Sequence, residues 1–186
     1  MVNVRLQIRP AAAEDAAACA EVYAPYVNDT SITFEVEPPT AEQFSARIAD
    51  AQAAHEWLVA EGEGTVVGYA YAHRFAERAA YGWSCETSIY LAPGACGQGV
   101  GRALYEVLLK CLARRGYRRA FAGISLPNDA SIGLHRAFGF TEAGCYRRVG
   151  WKNGAWHDVA WMQLDLDPRE TDPPLTISRD TISTRR

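Results

Sequence analysis

The chain has 186 residues, with 19 basic and 22 acidic side chains and a net charge of −3. One domain of ordinary size accounts for that length, and the charge balance excludes nucleic-acid binding through broad electrostatic attraction. A hydrophobic content of 48% is ample for a buried core, yet no stretch approaches the roughly 18 consecutive apolar residues of a membrane helix.

Val4, Leu6 and Ile8 alternate as a strand does. The Ala-rich stretch from about Ala13 to Val27 is helical, with Pro25 near its end as a kink or stop. Residues 40–54 form a second helix. Trp57–Glu61 and Val66–His73 read as a hairpin with Gly62 and Gly64 in its turn. Ser84–Leu91 is a further strand, stopped by Pro93 and Gly94. Val100, Leu104, Val107, Leu108, Cys111 and Leu112 recur on one helical face, and Gly116 ends that helix. Arg119–Ser125 is a strand, and Asn128 or Asp129 caps a short helix reaching Phe138, with Gly139 as its stop. Two last strands cover about 141–150 and 155–165. The order β-α-α-β-β-β-α-β-α-β-β predicts an α/β or α+β fold around a mixed sheet.

Composition changes near residue 167. From Asp167 to Arg186 only three large aliphatics stand among three prolines, six Ser or Thr residues and eight charges. That is too little apolar surface to offset the ordering entropy. The folded unit is expected at 3–166, followed by a polar, flexible tail at 167–186. At the other end, Arg5 and Arg9 stand where a secretory leader needs an apolar run. The five cysteines, Cys19, Cys85, Cys96, Cys111 and Cys145, are odd in number and lack CxxC spacing. Reduced cytoplasmic thiols are expected rather than disulfides or a zinc site.

Between the Ser84–Leu91 strand and the long helix, glycines stand at 97, 99 and 101. Glycine lets the backbone turn tightly and approach a ligand, and free N–H groups at a helix start favour an anion. That combination describes a pyrophosphate cradle. A dinucleotide-binding GxGxxG begun at Gly97 needs glycine where Arg102 stands. A phosphate-binding P-loop begun at Gly94 needs Lys and Ser or Thr where Val100 and Gly101 stand. Both fail, which leaves another cradle or a glycine-rich turn that merely caps the helix.

This Gly-x-Gly-x-Gly loop, the strand before it and the later block from Asn128 to Ser131 and His135 to Phe140 resemble the GNAT superfamily of N-acetyltransferases. The stretches Ala80–Tyr90, Leu126–Asp129 and Lys152–Val159 look like the phosphinothricin and methionine sulfoximine acetyltransferases, and the likeness covers nearly all of 5–167. The resemblance implies the GNAT fold, a mixed, mostly antiparallel sheet flanked by helices, with acetyl-CoA as co-substrate. It also implies that Ile89, Tyr90 and Leu91 offer backbone to the pantetheine arm. Gly97, Gln98, Gly99, Val100, Gly101 and Arg102 would hold the pyrophosphate, and Asn128 would contact the coenzyme. Cys96 departs from the family pattern, which has Gln or Arg there, so side-chain support is weakened while the backbone cradle remains. A homodimer is implied as well, with aromatics of the last strands as its interface.

Acetyl transfer to an amine needs a free-base nitrogen, a polarised thioester and an acid for the departing thiolate. Strand alternation puts Ser84, Glu86, Ser88 and Tyr90 on one face. Glu86 is the expected base, acting directly or through water; a structural carboxylate paired with an arginine is the other reading. Backbone N–H near Tyr90 or Leu91 is expected to stabilise the oxyanion. His135 stands where many family members carry a tyrosine that protonates the thiolate, and its ordinary pKa suits proton transfer at neutral pH. A half-buried histidine bonded to backbone is the alternative. Arg78 and Tyr81 are implied to meet the acidic groups of an amino acid, and Phe34 to wall the pocket. A solvated arginine and ordinary packing aromatics are the plainer reading.

His157 and Asp158 face opposite sides of a strand, and no metal site is expected. These readings point to acetyl transfer from acetyl-CoA to the free amine of a small acidic amino acid or analogue, of the phosphinothricin or methionine sulfoximine type, with herbicide resistance as a consequence. The rivals are the same chemistry on an antibiotic, polyamine or protein N-terminus, and a non-catalytic acetyl-CoA sensor. A sensor could dispense with Glu86 and His135.

Overall fold

The computed structural model describes residues 6–167 together with Pro173 and Ile177. The elements follow in the expected order: β1 (Gln7–Pro10), α1 (Ala16–Asp29), α2 (Ala41–Ala54), β2 (Trp57–Gly62), β3 (Thr65–Arg74), β4 (Ser84–Leu91), α3 (Val100–Arg115), β5 (Arg119–Ser125), α4 (Asp129–Ala137), β6 (Thr141–Lys152) and β7 (Ala155–Asp165). One seven-stranded sheet has the order β1-β2-β3-β4-β5-β7-β6. Its neighbours are antiparallel except β4 and β5, which run parallel. No helix among the described residues is long and apolar enough to cross a membrane.

Local chemistry sets most of these boundaries. Thr40 accepts from Gln43 N at 3.2 Å while the Gln43 side chain reaches back to Thr40 N at 2.8 Å, a capping box that starts α2. Gly116, at φ +103°, closes α3 in the left-handed conformation. Two details differ from the sequence reading. Pro25 does not stop α1, which runs on to Asp29; burial of Tyr23 and Val27 on either side of it outweighs the missing N–H. Gly62 is not in the hairpin turn but pairs with Thr65. The turn is Glu63–Gly64, with φ of +53° and +76°, the pair of positive angles that matches strand twist.

Strand alternation divides the core between the two sheet faces. Leu58, Ala60, Ala70, Ala72, Ala122 and Ile124 pack with α3 residues such as Leu104 and Leu108. Trp57, Val59 and Tyr69 pack on the opposite face with α1 and α2, through Cys19, Tyr23, Phe44 and Ile48. Small side chains on the first face let α3 lie close, whereas stacked rings fill the second, with Trp57 and Tyr71 centroids 4.2 Å apart. Arg115 at the end of α3 donates to Glu56 at 2.7 Å, with side chains only 4% and 8% exposed. Within the tail expected at 167–186, Ile177 packs against the α3-side core and Asp167 pairs with Arg118. Apart from Pro173, the rest of that tail lies outside the described residues, as do Val4 and the first residues of the expected domain.

Candidate active site

β4 and β5 pair only from Ser84 to Glu86, against Arg119 to Phe121. Beyond that point the strands part, and the gap opens into a cavity of about 520 Å³ between Thr87–Leu91, Ala122–Ser125, the start of α3 and α4. Parting leaves one edge of each strand without a neighbouring strand. Leu91, expected to offer backbone to a ligand, has both its N–H and its carbonyl on the Tyr26 hydroxyl, at 3.3 and 2.6 Å. Antiparallel alternation turns the backbone groups of Ile89 toward the same free edge, while Tyr90 pairs with Tyr69 of β3. Of the three expected strand residues, Ile89 is the one that offers backbone to the cavity.

The glycine loop folds as an anion cradle. Gly97 and Gly99 take φ of +74° and +82°, which other residues reach only with strain. Gly101 is less constrained: a Cβ there would stand 3.4 Å from both Ile89 Cδ1 and Leu91 Cδ1, a contact with the ends of flexible side chains. No side chain caps α3. The first helical bond runs from Ala103 N to Gly99 O at 3.0 Å, so the N–H groups of Val100, Gly101 and Arg102 have no partner within the helix. Arg102 lines the cavity and lies over the Phe138 ring at 5.7 Å. The Gln98 side chain turns back to the Gly94 carbonyl and braces the loop, and Val100 is buried in the core. Asn128 lines the cavity and caps α4 by accepting from Ser131 N at 3.1 Å. Unpartnered donors, positive φ and a roomy cleft together fit the pyrophosphate and pantetheine of a coenzyme.

His135 is only 2% exposed and lines the cavity floor. Its Nδ1 lies 2.7 Å from the Ser131 carbonyl, which can only accept, so Nδ1 carries the proton. Nε2, 2.8 Å from Tyr105 Oη, accepts in turn. Tyr105 also lies 3.2 Å from Thr87 Oγ1, and Thr87 reaches the Phe121 carbonyl at 3.2 Å. This chain ties α4 and α3 to the point where β4 and β5 separate. Burial lowers the His135 pKa, against the pull of the Ser131 carbonyl. Tyr105 stands outside the apolar stripe of Val100, Leu104, Val107, Leu108, Cys111 and Leu112 that the sequence marks, and no sequence motif singles it out.

Glu86 faces the other side of the sheet. Its carboxylate is 4.0 Å from His73 Nε2, and its side chain is 23% exposed. Burial raises its pKa, while the neighbouring His73 draws it down. Glu86 does not line the cavity itself, but a Cβ on Gly123, which does, would stand 3.6 Å from Glu86 Oε1. Phe34 lies directly on the backbone of Gly150, where a Cβ would meet its ring at 2.2 Å. Lys152, buried, donates to the Thr33 carbonyl at 2.8 Å and pins the same loop. Tyr81 meets Phe75 edge-on at 5.8 Å, and Phe75 stacks at 4.2 Å on Phe121, the register partner of Glu86. Arg78 is exposed at the start of the Ala79–Tyr81 turn and makes no ion pair among the described residues. The described residues hold no group of three or more His, Cys, Asp or Glu side chains able to bind a metal.

Residues 8–161 match the family model of the acetyltransferase (GNAT) domain. The chain is a GNAT acetyltransferase. This acetyltransferase is 38% identical to phosphinothricin N-acetyltransferase of Streptomyces viridochromogenes over 90% of its own length and 94% of the relative's. It is 34% identical to an L-methionine sulfoximine/L-methionine sulfone acetyltransferase of Pseudomonas paraeruginosa, over 78% and 86% of the two chains. A phosphinothricin acetyltransferase from Sinorhizobium meliloti, solved in complex with acetyl-CoA, superposes with a TM-score of 0.88 at 36% identity, over 95% and 97% of the two chains. The GNAT chain is thus an acetyl-CoA-dependent N-acetyltransferase.

Proposed function

We propose that this enzyme acetylates the free amine of a small acidic amino acid or analogue, with phosphinothricin and methionine sulfoximine as the substrates its relatives suggest, and that herbicide detoxification follows from that activity. The observation that carries the reading is Glu86. A half-buried carboxylate with a raised pKa stands beside the point where the coenzyme cleft opens, with the exposed Arg78 in the loop before its strand. Acetyl-CoA, when bound, supplies an activated thioester. Ile89 and the start of α3 would hold its arm and pyrophosphate, with Gly97, Gly99 and Gly101 giving the backbone room and Arg102 and Asn128 alongside.

Glu86 takes the ammonium proton, directly or through water, and burial tunes it toward that role. The departing thiolate receives its proton from Tyr105 Oη, and neutral His135, whose Nε2 accepts from that hydroxyl and has no proton of its own to pass on, positions it. His135 has both ring nitrogens committed inward, so it acts through Tyr105 rather than by contact. Phe34, Arg78 and Tyr81 form the acceptor side, where the arginine fork suits a carboxylate or phosphinate. We further propose a cytoplasmic homodimer, supported by the exposed Tyr146, Val149, Trp151 and Trp156 on the β6–β7 hairpin at the sheet edge. Light scattering on the purified protein tests the dimer.

Thiol release from acetyl-CoA, measured with phosphinothricin, methionine sulfoximine and a panel of plain amines, tests the activity. Turnover confined to the amino-acid acceptors is expected. Acetyl-CoA binding without release for any of them would overturn the reading.

A further inference from the structure

Ser125 ends β5 at the wall of the cavity. It is 6% exposed, and its Oγ is buried with no hydrogen-bond partner among the described residues. A buried hydroxyl left unpaired destabilises a fold, so such a group on a cavity wall points to a ligand. Its direction identifies which ligand. Ala120, Ala122 and Ile124 point into the α3-side core. Phe121, Gly123 and Ser125 therefore face the opposite side. That side is the one holding Glu86, since a Cβ on Gly123 would lie 3.6 Å from Glu86 Oε1. The register partner of Ser125 on β7 is Val159, whose side chain has no polar group to offer. Leu126 N is already bonded to Asp158 O at 2.9 Å, which fixes the strand end.

We propose that Ser125 is a specificity-determining residue whose Oγ–H donates to a carboxylate oxygen of the amino-acid acceptor. The proposal rests on the function inferred above. Ser125 lies about 7 Å along the strand from Gly123, at ~3.4 Å per residue. An α-amino acid that hydrogen-bonds through its amine at one end and its carboxylate at the other spans a distance of that order. A hydroxyl donating to a carboxylate makes a short, charge-assisted bond, and the acceptor's amine is left to Glu86.

The test compares Ser125→Ala and Ser125→Thr with the wild type on methionine sulfoximine and on the corresponding amine lacking the carboxylate. In Ser125→Ala, kcat/KM for the amino acid should fall about tenfold or more, as for a hydrogen bond to a charged group. The decarboxylated amine should be unaffected, and Ser125→Thr, which keeps the hydroxyl, should retain the discrimination. Calorimetry should give an unchanged Kd for acetyl-CoA. The Tm of the free Ser125→Ala protein should equal or exceed that of the wild type, because an unpaired buried hydroxyl has been removed. Equal losses on both acceptors, no loss on either, or weaker acetyl-CoA binding would each overturn the proposal. A wild type that acetylates other amines but no amino acid would overturn the functional reading itself, and the Ser125 assignment with it.

Discussion

The two sides of the β4–β5 gap are built by different means. The side proposed for the coenzyme is one continuous stretch, from Ile89 to Arg102, and offers backbone: a free strand edge, two glycines at positive φ and the bare N-terminus of α3. The side proposed for the acceptor is assembled from side chains on separate segments, with Phe34 held by Gly150 and Lys152, Tyr81 resting on Phe75, and Glu86 facing Gly123. A backbone site is insensitive to most side-chain changes and serves one common ligand. A side-chain site can be altered one residue at a time, so specificity belongs there.

The strongest way to separate the two sides is Glu86→Gln. Turnover should drop about 10²–10⁴-fold, the range for a lost general base, while calorimetry shows acetyl-CoA binding intact. Unchanged turnover would remove Glu86 as the base. In the wild type the acid limb of kcat/KM should lie above the ordinary carboxyl value of 4.5, because burial raises Glu86. The folded state holds that proton more tightly than the unfolded chain, so ionising Glu86 costs stability as pH rises. The Gln variant should accordingly melt no lower than wild type at neutral pH.

Glu56→Ala tests the scaffold that both sides share. It removes the buried carboxylate that Arg115 pairs with and should cost about 3–5 kcal/mol in urea unfolding, with both Michaelis constants unchanged below the melting range. A selective rise in one of them would show that the pair belongs to that side of the site. Gly99→Val attacks the coenzyme side alone. A β-branched residue at φ +82° strains the cradle, by about 1–3 kcal/mol, and the Kd of acetyl-CoA should rise tenfold or more. An unaltered Kd would reduce the loop to a helix cap.

Arg78→Ala is the matching change on the acceptor side. KM for an acidic amino acid should rise about tenfold, the value of a lost charged hydrogen bond, and KM for acetyl-CoA should stay put. Equal losses with neutral amines would mark the arginine as structural. The smallest effect concerns His135, whose pKa burial lowers from the ordinary 6.5. The unfolded chain then takes its proton first as pH falls, so stability present above 6.5 is lost below it, by at most ~1.4 kcal/mol per pH unit. His55, drawn down to about 4 by burial, adds a loss of the same sign. Urea midpoints between pH 7 and 5 should fall less for His135→Gln than for wild type, and an equal fall would show that His135 is not the group responsible.

Much of this molecule was legible before any coordinates. β4 and β5 begin and end where alternation and Pro93 put them, and Gly116 stops α3 as its position implies. The glycine loop was legible too, because positive φ and a bare helix start depend on residues adjacent in the chain. Pro25 misled because packing on either side of it overrode its own preference. Tyr105 lies off the apolar stripe the spacing marks, and nothing local distinguishes a hydroxyl that reaches His135 from one that reaches solvent.

The sequence by itself determined the order of elements, the turn of the glycine loop and the family, since each rests on neighbouring residues whose geometry is set by short-range sterics and hydrogen bonding. Only the tertiary structure decided that Lys152 pins the Thr33 loop, that Gly150 seats Phe34, and that the Ser125 hydroxyl shares a face with Glu86. Those contacts depend on sheet register and loop closure between segments far apart in the chain, and no local propensity encodes which distant side chains will meet.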